Sequence, residues 1–536
     1  MGSITGDIEA RMDYAFTVYR GTFIQSILPD SGSKPELSRN QGALWVSAAD
    51  GRIKGCDWQA NDDNEFAELM TRNGWVDIDA VGAQGQVNSH GSKIRVKIVI
   101  ANEEQNEFFF PGFIDTHIHA PQYPNVGLFG SSTLLEWLET YTFPVESRFG
   151  SPPDPKTGHQ TKTDPKDTPP LAQQIYDQVI SRTLSHGTTC ASYYATNHVP
   201  ATNALSSLCH TRGQRAFIGR ACMDNPKFCV DYYRDSSAED SIVATRQTIE
   251  YIHTLDPEGK LVKPIVTPRF APSCTRPALQ SLGELAASYS PPLHIQTHIS
   301  ENVNELALVK ELFPEADSYA AVYDKYNLLT PRTILAHAVH LSADERVLIR
   351  DREAKISHCP ASNSALGSGI CPVRTLLDEG ITVGLGTDAA RQACLASRLL
   401  GQSAAWQRDH PQGADGKGSD GREKLSVPES LYLATRGGAA VVDMANDLGG
   451  FDKGMLWDVQ LIRLGGVKLG EKSPLGFVPA DGTADLVKSG PVGNVDLFGT
   501  ESWEEKIQKW VWNGDDRNVK AVWVGGGGWS IQGSEG

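Results

Sequence analysis

The stretch Phe113-Ile-Asp-Thr-His-Ile-His119 combines the apolar pattern of a β-strand with two histidines at alternate positions. Side chains two residues apart in a strand lie on the same face, so His117 and His119 share one side. Two imidazoles placed in this way can bind the same metal ion. Barrels of parallel strands carry their active sites where the strands end. The stretch therefore predicts both a barrel strand and part of a metal site.

Seven more strand-like runs follow, separated by segments of helical period. The eight runs are Phe113–His117, Thr188–Tyr193, Ala216–Cys222, Ile265–Phe270, Leu293–His298, Thr333–His337, Lys355–His358 and Thr382–Asp388. Apolar residues recur at helical spacing over 172–184 and 242–252, which indicates amphipathic crossover helices. Eight such units predict an α/β protein with a (β/α)8 TIM-like barrel of about 300 residues. A doubly wound sheet would need a G-x-G-x-x-G turn after an early strand, and none occurs there.

Strand patterns outside the barrel predict a second, discontinuous domain. They lie near Tyr14–Val18, at Ile94–Ile100, around Val459–Leu461, at Asp485–Val487 and at Val519–Val524, with a helix around Trp503–Val511. Period-two alternation is typical of half-buried strands. We predict residues 1–107 and 441–536 as the two parts of a small β-sandwich and residues 108–440 as the barrel.

Two polar segments interrupt the strand and helix rhythm. Residues 151–170 are rich in Pro, Lys, Asp and Thr, and residues 408–423 are rich in Gly and Asp. Neither segment has enough apolar surface to fold alone, so we expect exposed loops.

Composition excludes several classes of protein. The 536 residues include 49 Lys and Arg against 65 Asp and Glu, a net charge of −16. An acidic chain without a cluster of Lys and Arg lacks the positive charge that binding to a phosphate backbone requires, so a nucleic-acid polymer is not expected as a partner. No apolar run approaches the ~18 residues of a membrane span. Nine scattered cysteines without a C-x-x-C pair indicate free thiols. We therefore expect a soluble, cytoplasmic protein without a membrane or nucleic-acid partner.

Further metal-binding residue types fall at the ends of later strands. His298 ends the fifth run, His337 the sixth and Asp388 the eighth. Each residue alone could be structural, but their coincidence at strand ends favours a site. Together with His117 and His119, His298 and Asp388 suit one zinc or iron ion with an open position for water. His337 is either a fourth imidazole or a group that hydrogen-bonds the water.

Glu301 follows His298 by three residues and would lie near the same cavity if a helix begins there. As a catalyst, it would take a proton from the attacking water and give it to a ring nitrogen of the substrate. The alternative is an ordinary acidic residue in the first turn of a helix, favoured by the helix dipole.

The fourth strand indicates a single metal and a base-binding group. Its only lysine, Lys263, lies at its beginning, whereas a bridged two-metal site would want a carboxylated lysine at its end. Arg269 and Phe270 at that end would present a fork of donors beside an aromatic ring. Gln122 offers a donor and an acceptor together, as the edge of a heterocycle requires. A surface ion pair and a common loop glutamine are the alternatives for Arg269 and Gln122.

Several stretches resemble one enzyme family. Pro111-Gly-Phe-Ile-Asp-Thr-His-Ile-His119 resembles the opening of the amidohydrolase superfamily, and His358-Cys-Pro-Ala-Ser-Asn363 with Gly384-Leu-Gly-Thr-Asp388 resembles its aminohydrolase branch. More narrowly, residues 117–123, 134–143, 266–270, 298–302 and 514–518 are similar to the guanine deaminase family. These stretches extend over most of the chain, although Ala389-Ala-Arg-Gln392 departs from the expected Gly-rich turn.

The resemblance implies a zinc-bearing barrel flanked by a β-sandwich, a homodimer, and hydrolysis of guanine to xanthine and ammonia. It implies His117, His119, His298 and Asp388 as ligands of one zinc ion per subunit. Catalysis would use Glu301 as the proton shuttle, His337 as the group that orients the water, and Asp388. The substrate would contact Gln122, Arg269 and Phe270, beside His119, His298, Glu301 and Asp388.

Two alternatives stay open. The same chemistry could act on another heterocycle, by deamination or dechlorination of a triazine, a pterin or a thiomethyl purine nucleoside. A noncatalytic assembly protein could use the same scaffold, but such proteins usually lack some of the ligands, and none is missing here.

Overall fold

The computed structural model describes residues 14–30, 32, 34–81, 93–128, 132–150, 169–387, 423–465 and 494–530. Asp388, the predicted strand at 485–487 and most of the two predicted loops, 151–168 and 408–422, lie outside these residues. The chain divides into two compact units. One comprises Met1–Gln25, Leu37–Pro111 and Asn446–Gly536, and the other comprises Ser26–Glu36 and Gly112–Ala445.

The strands are numbered in chain order within the described residues. They are β1 (Phe16–Ile27), β2 (Glu36–Ser47), β3 (Ile53–Asp57), β4 (Trp75–Asp77), β5 (Ile94–Ile100), β6 (Glu107–Pro111), β7 (Phe113–His119), β8 (Thr188–Tyr194), β9 (Arg215–Gly219), β10 (Ala221–Cys222), β11 (Val262–Pro268), β12 (His294–Ile299), β13 (Thr333–His337), β14 (Lys355–His358), β15 (Val383–Leu385), β16 (Val459–Arg463), β17 (Val519–Val524) and β18 (Gly527–Ser530).

The α-helices of the described residues vary from one turn to five. They are Asp63–Arg72, Ile78–Val81, Leu134–Trp137, Phe143–Glu146, Pro170–Ser185, Val199–Arg212, Ala238–Leu255, Arg276–Ala287, Val303–Leu312, Tyr319–Lys325, Ala343–Asp351, Pro360–Ala365, Val373–Asp378, Val427–Tyr432, Gly438–Val441 and Trp503–Asn513. Two π-helical turns, Leu138–Thr142 and Leu433–Gly437, continue the helices that precede them.

The predicted barrel is confirmed. Its strands follow the order β15-β14-β13-β12-β11-β9-β8-β7, and the short β10 adds to β11. All of these pairs are parallel, and each predicted run overlaps one observed strand, except that Ala216–Cys222 covers both β9 and β10. Ile299 lies opposite His337 in the pairing of β12 with β13, so the fifth and sixth strands end side by side.

Side-chain bonds join the two ends of this sheet, β7 and β15. The Thr116 hydroxyl donates to the Leu385 carbonyl at 3.0 Å and lies 2.6 Å from the Ser357 hydroxyl. The Thr387 amide donates to Asp115 at 2.9 Å. These contacts bring the end of β15 beside the histidines of β7.

Both predicted crossover helices are present. Pro170–Ser185 buries an apolar face that includes Tyr176 and Ile180, and it is followed by Gly187 with φ 84°. This left-handed conformation favours glycine and lets the chain turn into β8. Ala238–Leu255 begins where the Ser237 side chain accepts a hydrogen bond from the Asp240 amide.

Strands from both ends of the chain form the second unit, for which we predicted a small β-sandwich, in one branched nine-stranded sheet. The order is β18-β17-β16-β6-β1-β2-β3, with β5 attached to β1 and β4 to β5. Adjacent residues of β1, Val18 and Tyr19, belong to different buried clusters, so both faces of the sheet are apolar. Because β6 pairs with β16 over its whole length, this unit extends to Pro111, beyond the predicted end at residue 107.

Two predictions from composition concern cysteines and membranes. All eight cysteines within the described residues are free, as expected. Within the same residues, no helix combines the length and the apolar character that crossing a bilayer requires.

Candidate active site

Four histidines meet at the ends of β7, β12 and β13, and we call them the imidazole group: His117, His119, His298 and His337. Ligand atoms of His117, His298 and His337 lie within 4.8 Å of one another. The Nε2 atoms of His119 and His298 are 3.0 Å apart. The structure therefore brings together the histidines that the strand-end pattern singled out.

Hydrogen bonds from two of these rings fix which nitrogen carries the proton. Nδ1 of His298 donates to the Arg269 carbonyl at 2.6 Å, and Nδ1 of His337 donates to Asn363 Oδ1 at 2.8 Å. In the neutral form this leaves Nε2 of each ring with a lone pair. Burial lowers the pKa of His117, His119 and His298 well below the usual value, and the neighbouring imidazoles lower it further. Neutral imidazoles are the form that binds metals.

The group fits a divalent transition metal. Two nitrogens bound to one ion at 2.0–2.1 Å in tetrahedral geometry are about 3.3 Å apart, close to the observed 3.0 Å between His119 and His298. Nδ1 of His117 and Nδ1 of His119 are buried without a protein partner in the described part of the chain. The Thr387 hydroxyl, next in sequence to Asp388, donates to the His117 carbonyl at 2.8 Å. A Cβ at Gly386 would lie 2.9 Å from that of His117, so glycine leaves room for this ring.

Left-handed backbone conformations occur where β12 and β13 end. His337 has φ 75°, Ala338 φ 52° and Ser300 φ 50°. Such values are strained for residues with a Cβ and persist where surrounding structure holds them. Here the Ala338 amide bonds the Ile299 carbonyl at 3.0 Å, and the Val339 amide bonds Ser300 at the same distance. The strain is concentrated beside the His337 ring.

Glu301 is buried beside the imidazole group, with 3% of its surface exposed. Its Oε2 lies 3.4 Å from His337 Nε2, and its Oε1 accepts a hydrogen bond from the Ser368 hydroxyl at 3.2 Å. Burial raises the pKa of Glu301 to about 7, although the Ser368 bond acts to lower it. A carboxyl group with this pKa can both accept and release a proton near neutral pH.

The helix after β12 begins later than the sequence suggested. Asn302 is its N-cap, Val303 its first residue, and Glu305 completes a capping box with Asn302. Glu301 therefore precedes the helix, and the alternative of a first-turn acid is wrong for it. The sequence does carry the signal, because Asn302 and Glu305 have the capping-box spacing.

Two of the substrate-contacting candidates, Arg269 and Phe270, lie next to His298 of the imidazole group. The Phe270 ring centroid is 6.4 Å from that of His298, and Phe270 is 4% exposed. Arg269 is buried, but its fork is not free: Nη1 and Nη2 bond the two oxygens of Glu146 at 2.6 and 3.1 Å. Arg269 is thus neither a surface ion-pair residue nor a donor with every N–H available to a ligand.

Glu146 is a buried residue that the sequence analysis missed. It accepts hydrogen bonds from Gln122 Nε2 at 2.8 Å and from the Tyr233 hydroxyl at 2.7 Å, in addition to Arg269. We call Gln122, Glu146, Tyr233 and Arg269 the Glu146 cluster. Burial acts to lower the pKa of Arg269, and the facing carboxylate more than offsets this, so its pKa is raised. The sequence signal is an acidic residue three positions after the apolar Phe143 in a helical segment.

Comparisons with known proteins agree on one family. Residues 108–527 match the model of the amidohydrolase family. The chain is 44% identical over 431 residues to a probable guanine deaminase of Schizosaccharomyces pombe, covering 78% of this chain and 71% of the relative. It is 36% identical to the guanine deaminase of Homo sapiens, covering 78% and 82%. A solved guanine deaminase from C. acetobutylicum, with guanine bound in its active site, aligns with a TM-score of 0.69 at 27% identity, covering 96% of this chain and 99% of that one.

Proposed function

The chain belongs to the amidohydrolase family, and from this premise we propose that it hydrolyses guanine to xanthine and ammonia. The observation that carries the proposal is the placement of buried Glu301 against the imidazole group, in a chain similar to guanine deaminases over most of its length. The Glu146 cluster beside this group supplies polar atoms for a heterocyclic base.

We assign one zinc ion per subunit to His117, His119, His298 and Asp388, of which the three histidines lie within the described residues. Zinc bound there would lower the pKa of a coordinated water and so provide a nucleophile near neutral pH. Support comes from burial, which lowers the pKa of these imidazoles and keeps them neutral, and from the 3.0 Å between Nε2 of His119 and Nε2 of His298.

The protein's own groups then move the protons. Glu301 accepts a proton from the attacking water and transfers it to the ring nitrogen beside the reacting carbon. His337 orients the water through Nε2, since Asn363 holds Nδ1. The water oxygen forms a C–O bond at the carbon that bears the amine, the C–N bond breaks, and the second water proton leaves with the nitrogen as ammonia.

Gln122, Arg269 and Phe270 hold the base in this reaction. The Phe270 ring packs in an apolar cluster with Phe143, Trp137 and Leu366. Such a surface excludes water from the reacting groups and strengthens their electrostatic interactions. The homodimer and the cytoplasmic location remain predictions from the sequence.

Ammonia release from a panel of heterocycles tests the proposed function. The zinc-loaded chain should convert guanine to equal amounts of xanthine and ammonia, and should be much slower with adenine, pterins and triazines. Metal analysis of the purified protein should give one zinc per chain. Preference for another heterocycle, or a zinc-loaded protein without turnover of guanine, would contradict the proposal.

A further inference from the structure

Glu146 joins three parts of the barrel unit that are far apart in sequence. Gln122 follows β7, Arg269 follows β11, and Tyr233 lies in the loop after β10. Both oxygens of Glu146 accept two hydrogen bonds each: Oε1 from Gln122 and Arg269, and Oε2 from Tyr233 and Arg269. Glu146 itself is 0% exposed. Its carboxylate therefore has no capacity left for a substrate and acts through its neighbours.

The carboxylate decides which end of the Gln122 amide is available. A carboxylate only accepts hydrogen bonds, so the amide must turn its NH2 group toward Glu146. Gln122 Nε2 lies 2.8 Å from Oε1 of Glu146. The carbonyl Oε1 of Gln122, a half-buried residue, is not bonded to Glu146 and remains as the acceptor that this amide can offer a ligand. In this state Gln122 presents an acceptor.

The same carboxylate fixes the orientation of Arg269. Two of the five N–H bonds of the guanidinium are taken by Glu146, and the group lies 5.7 Å from the centroid of the Phe143 ring. The remaining N–H groups of Arg269 can donate hydrogen bonds to a ligand, and the guanidinium cannot accept any. The Arg269 carbonyl holds His298 of the imidazole group, which places this residue beside the reacting centre.

The acceptor of Gln122 and the donors of Arg269 have fixed orientations, so they match a base edge with one particular order of donor and acceptor. Guanine carries a ring N–H next to a carbonyl, so it offers a donor beside an acceptor. 2,6-Diaminopurine has the same reacting amine. In place of guanine's ring N–H it has an unprotonated ring nitrogen, which accepts, and in place of guanine's carbonyl it has an amine, which donates. The hydrogen-bond polarity of its edge is therefore reversed.

We propose that Glu146 is a positioning residue that sets the hydrogen-bond polarity of the substrate pocket, and so selects bases with an N–H next to a carbonyl. The inference rests on the proposed function and adds the residue that determines specificity. Glu146 acts through Gln122 and Arg269 without touching the base.

The experiment compares wild type with Glu146→Gln. The neutral amide both donates and accepts, so it permits Gln122 to turn its NH2 group toward the ligand. We measure kcat and KM for guanine and the inhibition constant of 2,6-diaminopurine against guanine. The ratio of that inhibition constant to the KM of guanine should fall at least ~10-fold, since mispaired polar groups in a binding site dominate discrimination. Glu146→Asp, which keeps the charge, should recover part of the ratio.

Glu429→Gln is the matched control. Glu429 forms another buried ion pair, with Arg374. Losing the charge there should lower the melting temperature and leave the ratio unchanged. If Glu146→Gln lowers only the melting temperature, as this control does, Glu146 is structural and the proposal is wrong.

A double variant keeps the proposal testable should Glu146→Gln not fold. Gln122→Ala removes one of the two groups through which Glu146 acts, so Glu146→Asp should change the ratio less in that background than in the wild-type background. Additive losses in the double variant would overturn the proposal. A wild-type protein that releases no ammonia from guanine would overturn the proposed function as well, which separates the two failures.

Discussion

The imidazole group and the Glu146 cluster meet at Arg269, yet they are held in place by different means. In the imidazole group the rings are held at strand ends, and Nδ1 of His117 and Nδ1 of His119 have no hydrogen-bond partner within the described residues. In the Glu146 cluster, both carboxylate oxygens are fully hydrogen-bonded by side chains. The first region therefore contains buried ring nitrogens without a partner, whereas every acceptor position of the carboxylate in the second is used.

Changes to the imidazole group should alter metal content and reaction rate, because we assign three of its histidines as zinc ligands. Changes to the Glu146 cluster should alter substrate selectivity and stability, because removing one partner of a buried ion pair leaves an uncompensated charge. Variants that separate these readouts test whether the two regions are independent.

His298→Ala should have the largest effect. It removes a ring whose Nε2 lies 3.0 Å from that of His119. We expect loss of bound zinc and a large decrease in kcat/KM. The decrease should exceed the ~100-fold that is typical when a residue hydrogen-bonded to a metal ligand is removed. Metal analysis and steady-state kinetics measure both.

His294→Ala provides the control on the same strand. His294 is buried, and its Nε2 bonds Asp443 at 2.9 Å at the other end of β12. This variant should lose stability but keep its zinc. Full zinc content in His298→Ala would show that the site is wrongly assigned.

Glu301→Gln, beside the imidazole group, should lower the reaction rate without changing metal binding. The amide keeps the shape of the side chain and can still bond Ser368, but it cannot carry the proton. Loss of a general acid and base lowers kcat by about 10²–10⁴-fold. Zinc content should not change. Glu345→Gln, at a buried capping residue of the helix Ala343–Asp351, should leave kcat unaffected, and near-normal turnover of Glu301→Gln would refute the shuttle.

The sequence predicted the imidazole group because its signals are local. A period of two over 113–119 places His117 and His119 on one face, and His298 and His337 end apolar runs that are recognisable one at a time. Parallel strands bring their ends together, so no contact between distant residues had to be known.

The Glu146 cluster could not be predicted in the same way. Glu146 lies 24 residues from Gln122, 87 from Tyr233 and 123 from Arg269. The π-helical turn Leu138–Thr142 also changes the phase of the helix before Glu146, so the helical spacing of residues before this turn does not identify its buried face, and the spacing from Phe143 is the signal that remains. Arg269 was predicted at the site, but its carboxylate partner was not.

Asn363→Leu should have a smaller effect than either change above. Asn363 holds Nδ1 of His337 at 2.8 Å, and without it the ring loses the bond that fixes its tautomer. Supporting residues of this kind contribute about 10–100-fold to activity. We expect a decrease in kcat of that order with zinc retained, and partial recovery in Asn363→Asp. A rate within twofold of wild type would mean that other contacts orient His337.

Thr116→Val should have the smallest effect and tests whether strand position alone holds the imidazole group. Thr116 precedes His117, is 0% exposed, and bonds Leu385 and Ser357 where β7 meets β15. Valine has nearly the same shape but cannot bond either group, so the free energy of unfolding should fall by about 1–3 kcal/mol, the cost of leaving buried polar atoms unpaired. Denaturant titration measures this change, and Thr116→Ser, which keeps the hydroxyl, should recover most of it. Because the parallel ladder from β7 to β8 is untouched, we expect zinc content and kcat to stay near wild type. A large loss of zinc would instead show that the bonds between β7 and β15 position His117, and the imidazole group would then depend on side-chain contacts as much as the Glu146 cluster does.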